Sequence, residues 1–272
     1  MAKLALPVRP GVVYGLMKEL RASASHDRPL VVGGAPELAR ALARELGRGA
    51  TAGSVREGGS FQKPAALVYV VAGEISDADR EELKAADKQR IPIVVLVADP
   101  KLQGSLPYVL ATDVVRVRGG ESLPVEEVAR VLARRLGEAA APLAARVPAL
   151  RNAVAADLVQ RFSRRNGIIG AAVFVPGADL PILTLHQARL VLRLAQVHGH
   201  EVDQRRALEL LGVFGTGLGL RAIARELLDF VPGPGWILKG AVAYAGTRAL
   251  GEAAVRYFEA TRPAAPGVHA AP

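Results

Sequence analysis

The sequence predicts a small, doubly wound α/β domain on a mainly parallel sheet, followed by an all-α helical domain. Within residues 29–138, short apolar runs alternate with amphipathic helical patterns, as parallel strands covered on both faces require. Beyond Gly137 no strand pattern recurs, and apolar residues step by three or four, the helical period. The composition allows a core of this kind. Of 272 residues half are hydrophobic and only 22% charged, with a mean hydropathy of +0.22, which excludes a disordered chain.

The elements follow in order. Residues 1–28 form an arm carrying one short helix, Val12–Arg21. The strands are Pro29–Gly34 (PLVVGG), Ala66–Gly73 (ALVYVVAG), Pro92–Ala98 (PIVVLVA) and Asp113–Val117 (DVVRV), each a short apolar run ending in turn residues. A weaker strand is expected around Gly53–Arg56. Helical patterns fill Pro36–Gly47, Asp77–Gln89, a short piece near Leu102–Leu110, and Val125–Leu136. Residues 139–166 read as a connecting amphipathic helix whose apolar stripe is Leu143, Val147, Leu150, Val154, Leu158 and Phe162. Residues 167–260 read as a helical domain with helices near Ala178–His198, Asp203–Asp229 and Gly235–Ala260. Residues 261–272 read as a disordered tail.

Charge and hydropathy narrow the partners. The net charge of +9 favours anionic partners, although Arg outnumbers Lys by 28 to 7 and codon bias accounts equally for the excess. No dense Lys/Arg cluster and no aromatic stacking platform occur, so nucleic acid is not expected. Gly167–Ala188 holds Asp179 as its only charge but is broken by Pro176, Gly177 and Pro181. That suits a buried turn or a re-entrant or interfacial segment rather than a spanning helix. Arg161, Arg164 and Arg165 flank it, either as lipid-headgroup contacts or as a solvated helix face. Small residues recur in the helical half, at Gly212, Gly215, Gly217 and Gly219 and at Ala241, Ala245, Ala249 and Ala253. Close helix contact, in lipid or in a soluble bundle, explains both sets.

No catalytic constellation is present, and the absence of cysteine excludes thiol chemistry and Cys-ligated metals. No cofactor or metal is expected. The ligand crevice of a doubly wound sheet would use Gly33, Gly34, Gly73, Asp99 and Gly119, beyond the strand ends. Counted from Gly34, a phosphate loop would need Gly, Lys and Ser/Thr where Ala39, Arg40 and Ala41 stand, and Glu37 adds a negative charge. Ser76-x-x-Asp79 reads as a helix cap, and His198-Gly-His200 as a turn with exposed histidines. Asp179 is expected to cap the helix that starts near Leu180.

The second half carries a resemblance. VPGADLPILTLHQARLVLRLAQVHG and LLGVFGTGLGLRAIARELLDFVPGPGWILKGAVAYAGTRALGEAAVRYFE are similar to the YcjF-like, GTPase-associated bacterial domain of unknown function. The carrying residues are Pro176, Gly177, Ala178, Asp179, Pro181, Gly199, Gly219, Pro232, Gly235, Trp236, Lys239, Thr247 and Gly251. ALVYVVAGEISDADREELKAADKQRIPIVVLVADP resembles the late strands of an Era-like domain, with Val97-Ala98-Asp99-Pro100 in place of the base-reading motif. Arg118-Gly119-Gly120 stands in place of a second such loop. The resemblance implies a membrane-associated bacterial protein, and the missing phosphate-loop residues lean the reading toward a non-enzymatic one. It would pair a pseudo-GTPase-like, partner-binding domain with a helical module on the cytoplasmic face of the inner membrane, peripheral or re-entrant. Anionic lipid and a protein partner or self-association are the implied partners. A soluble, cytoplasmic ligand-binding α/β protein and a soluble self-associating scaffold are the alternatives.

Overall fold

The structure is a computed structural model, and it describes residues 11, 14–16, 18–19, 22, 28–58, 64–102, 104–117, 122–172, 180–200 and 235–261. The chain divides into two compact units. One is Ser23–Asp157, and the other combines Met1–Ala22 with Leu158–Pro272.

The first unit is built on five parallel strands, β1 (Leu30–Gly34), β2 (Val55–Glu57), β3 (Ala66–Val71), β4 (Ile93–Val97) and β5 (Val114–Arg116), in the order β2-β1-β3-β4-β5. Every residue of β3 and β4 is buried, because helices and loops cover both faces. Alternation sorts the side chains. Val31, Leu67, Tyr69, Ile93, Val95 and Val97 pack on one face against Leu83 and Ala86 of α2 (Asp77–Lys88). α1 (Pro36–Leu46) and α3 (Val125–Leu136) bury Leu42, Leu46, Val128 and Leu132 on the other. The doubly wound sheet is therefore real, and its order reverses between β1 and β3, the switch point at which such sheets bind ligands.

Two local expectations need correction. The described residues of Leu102–Leu110 are not helical: they run through turns to a single 3-10 turn at Ala111–Asp113, since Gly104 takes φ +104° and Pro107 lacks a backbone donor. Residues 139–166 are not one helix. A short helix, α4 (Ala141–Arg146), ends before a 3-10 turn at Pro148–Leu150, and α5 (Arg151–Ala172) then begins. Pro148 is the cause, yet all six residues of the apolar stripe are buried.

In the second unit the described helices are α5 from Leu158 onward, α6 (Leu180–Val197) and α7 (Gly235–Ala260). The described residues among 11–22 are helical, and Glu19 there pairs with Arg189 and, at 3.2 Å, with the buried Arg193 of α6. The helix expected over Asp203–Asp229, with Gly212, Gly215, Gly217 and Gly219, lies outside the described residues.

Candidate functional site

At the switch point, Gly33 and Gly34 end β1, while Gly73 and Asp99 follow β3 and β4. Gly119 lies outside the described residues. Gly34 takes φ +93°, and a β-carbon there would fall 2.1 Å from the Val70 carbonyl oxygen. The glycine is required by the close approach of β3. The next amide, Ala35 N–H, donates to that same carbonyl at 2.8 Å. It points into the sheet instead of toward an anion. Asp99 accepts from the Lys101 amide at 2.8 Å and so shapes its own turn.

The side chains gathered here are Tyr69, Ser76, Asp79 and Glu82. The Tyr69 hydroxyl donates to Asp79 Oδ1 at 2.7 Å, and the Ser76 hydroxyl and amide donate to Oδ2 at 2.7 and 2.8 Å. Ser76 and Asp79 form the reciprocal cap of α2, as the sequence spacing predicts. A β-carbon on Gly33 would lie 3.3 Å from Glu82 Oε1. Exposed Glu37, paired with Arg40 at 3.1 Å, adds a further carboxylate in the first turn of α1. An entering phosphate would meet negative charge rather than free amides.

The two titrations in this cluster move in opposite senses. Burial, the hydrogen bond to Asp79 and the charge of Glu82 push the Tyr69 hydroxyl far above its usual value. Burial pushes the Asp79 carboxyl up, but hydrogen bonds from Tyr69 and Ser76 outweigh it and leave the group below its ordinary 3.8. A lowered carboxyl stabilises the fold at pH values above 3.8, and that contribution disappears as pH falls through the folded value. Tyr69→Phe is therefore expected to cost about 1 kcal/mol at neutral pH. The deficit should shrink on acidification below the carboxylate range. Urea midpoints of both proteins between neutral and acid pH measure it, and a pH-independent gap would rule out an ionised acceptor.

In the second unit, three layers of contacts set the helix directions. A β-carbon on Gly251 would lie 2.7 Å from Val159 Cγ2 and 3.3 Å from Leu190 Cδ2. The next layer is polar. Asn166 Nδ2 donates to Thr247 Oγ1 at 2.9 Å, Gln187 Nε2 donates to the same oxygen at 3.1 Å, and His186 Nδ1 lies 2.9 Å from Asn166 Oδ1. Above it Gly167 and Gly240 cross, and a β-carbon on Gly240 would stand 2.9 Å from Gly167 O. Numbers rise along α5 as they fall along α6 and α7. The end of α5 and the starts of α6 and α7 therefore lie at one end of the unit.

That end exposes Ile168 (69%), Ile237 (54%), Ile182 (45%) and Leu238 (42%), with Pro181 exposed beside them in sequence. Arg164 and Arg165 are exposed within about one helical turn of Ile168, and Arg161, half-buried, lies one turn further down α5. Lys239 is half-buried in the first turns of α7, which Gly235 and Trp236 begin. Pro176, Gly177, Ala178, Asp179, Gly219 and Pro232 lie outside the described residues, and so does the cap expected of Asp179.

Two sequence readings differ from this arrangement. Ala241, Ala245, Ala249 and Ala253 are all exposed, and the close contacts of α7 are made by Gly240, Thr247 and Gly251. His198 is buried and His200 half-buried, both against Phe258, with ring centroids 6.1 and 5.1 Å apart. Among the described residues no His, Asp or Glu group is placed to hold a metal ion, and no helix is long and apolar enough to cross a membrane. No protein-family model, curated protein or solved structure matches the chain.

Proposed function

We propose that the chain is a non-enzymatic, membrane-associated protein. Its helical unit contacts anionic lipid, and its α/β unit, a degenerate GTPase-like domain, serves to bind a protein partner. The supporting observation is the apolar end of the helical unit, where Ile168, Ile182, Ile237 and Leu238 are exposed. Monomeric surfaces seldom gather large aliphatic side chains in this way. Exposed Arg164 and Arg165 sit a turn behind, at the depth where headgroups would lie if the end entered the acyl boundary. The same chemistry fits a peripheral position on the cytoplasmic face of a bacterial inner membrane, where anionic lipid is available.

Flotation with liposomes tests the reading. The chain is expected to float with anionic vesicles, and high salt should weaken binding without abolishing it, because apolar insertion survives screening. Ile168→Asp together with Ile237→Asp should lower partition by at least about tenfold. Arg164→Ala should act mainly at low salt, at about 1 kcal/mol. Absence of flotation at every ionic strength would overturn the proposal in favour of a soluble scaffold. In that case the exposed isoleucines would be covered by a second copy of the chain.

A further inference from the structure

Behind the apolar end of the helical unit, α5 and α7 carry a line of polar side chains that crosses from one helix to the other. Tyr244 of α7 stands at its middle. Gly167 of α5 lets the tyrosine lie close, since a β-carbon there would stand 3.2 Å from Tyr244 Cβ and 3.4 Å from the Gly240 carbonyl oxygen. The Tyr244 hydroxyl lies 3.4 Å from the Gln160 amide of α5 and 3.4 Å from Arg248 Nη1, one turn further along α7. With its amide oxygen turned to Arg164, Gln160 accepts from that guanidinium at 2.8 and 3.3 Å. Guanidinium, amide, hydroxyl and guanidinium thus follow one another between the two helices.

The line is rich in donors and poor in acceptors. In that amide orientation Gln160 and Arg248 both direct N–H groups at the Tyr244 oxygen, so the hydroxyl proton is left for an acceptor from outside. Arg248 is neutralised by Glu252 at 2.8 Å. Arg164 is exposed and pairs with no acid among the described residues. The charges on the neighbouring stretches do not cancel it. From residue 157 to 168 on α5 and from 237 to 256 on α7 the acids are Asp157 and Glu252, against six Lys and Arg, and α6 contains no acid. Glu252 is taken by Arg248, and Asp157 stands about 10 Å from Arg164 along the helix axis.

We propose that Arg164, Gln160, Tyr244 and Arg248 form a binding site for the phosphate of an anionic phospholipid. The height of the site points to lipid as the source. Ile168 lies one turn beyond Arg164, about 6 Å along α5, and Ile237 lies about 10 Å beyond Tyr244 along α7. A phosphate held at this level would set its acyl chains beside those two exposed isoleucines. A planar guanidinium fork and a free hydroxyl proton together match a phosphate oxyanion, a geometry that a diffuse basic surface does not need. The site rests on the lipid reading above and gives it a defined headgroup contact.

Flotation of the full chain with vesicles of equal parts phosphatidylglycerol and phosphatidylcholine tests it, through two variants that keep the net charge. Tyr244→Phe keeps the ring and removes the hydroxyl, and Arg164→Lys keeps the charge and removes the fork. Each is expected to lower partition by about threefold or more at an unchanged melting temperature. Tyr244→Phe should do so equally at low and high salt, because it removes no charge. In nuclear magnetic resonance spectra, the Nε–H signals of Arg164 and Arg248 should shift with dihexanoyl phosphatidylglycerol and stay in place with inorganic phosphate at the same concentration. Parent-like partition of either variant would overturn the site and leave the membrane reading standing. Equal shifts with inorganic phosphate would overturn lipid as the ligand. A parent chain that floats with no vesicle would overturn both readings together.

Discussion

Gly34→Ala is expected to destabilise the α/β unit by on the order of 4 kcal/mol. Two costs combine. The residue takes φ +93°, which an L side chain rarely adopts, and its β-carbon would lie 2.1 Å from a backbone oxygen of β3. Neither can relax without opening the β1–β3 pair, which is the switch point of the sheet. Gly33→Ala is the control. Its β-carbon would meet the tip of the flexible Glu82 side chain at 3.3 Å, so a loss below about 1 kcal/mol is expected. Urea unfolding by circular dichroism, with hydrogen exchange at the Leu67–Val71 amides, separates the two. Equal losses in the two variants would show that the β1–β3 approach is not what selects glycine at position 34.

The second large effect is expected at Thr247. Its hydroxyl oxygen accepts from both Asn166 and Gln187, and Thr247 and Asn166 are fully buried. Thr247→Val keeps the volume and removes the acceptor, leaving two amide donors without it. Each stranded donor costs about 1–3 kcal/mol, so a total of about 3 kcal/mol is expected. Thr247→Ser keeps the oxygen and should cost less than about 1.5 kcal/mol. Thermal melts of the two variants decide the matter. If valine is tolerated as well as serine, the polar layer contributes nothing to stability.

The parts of the fold legible in the sequence were those with strong periodicity. β3 and β4 are continuous apolar runs because both their faces are covered, and Ser76-x-x-Asp79 marks the start of α2 by a spacing that hydrogen bonding demands. β2 is three residues long with Arg56 and Glu57 exposed, too short to show a period beyond its edges. The Leu102–Leu110 segment is rich in leucine and read as helical, yet Gly104 and the left-handed Tyr108 turn it. Alanine at every fourth position on α7 signalled small side chains without saying which face packs. Bulk decides that: Leu250, Ala254 and Phe258 face inward, and the alanine stripe faces out.

The candidate sites were legible to different degrees. Gly33 and Gly34 could be placed at a strand end from sequence, but the constraint on Gly34 comes from Val70, a residue distant in the chain. Asn166, His186, Gln187 and Thr247 are polar types that sequence reading assigns to surfaces, and only their mutual hydrogen bonds make burial affordable. Gly167 and Gly240 gave no signal apart from being glycine in a helix. The turn at Tyr108 depends on a left-handed backbone conformation that a tyrosine does not announce.

The pairing of Glu19 with Arg189 and Arg193 has a consequence for the order of events during synthesis. The helical unit uses residues made before the α/β stretch and residues made after it, whereas Ser23–Asp157 is one unbroken stretch. The α/β unit has all its strands as soon as that stretch has emerged, and domains generally fold as they are completed. Glu19 must instead wait until α6 is made. Arg193, buried beside Glu19, gains this acidic partner only on the return of that early segment. A nascent chain stalled between the two stages would display a completed sheet beside a segment whose helical partners are still to be made, a natural substrate for a chaperone.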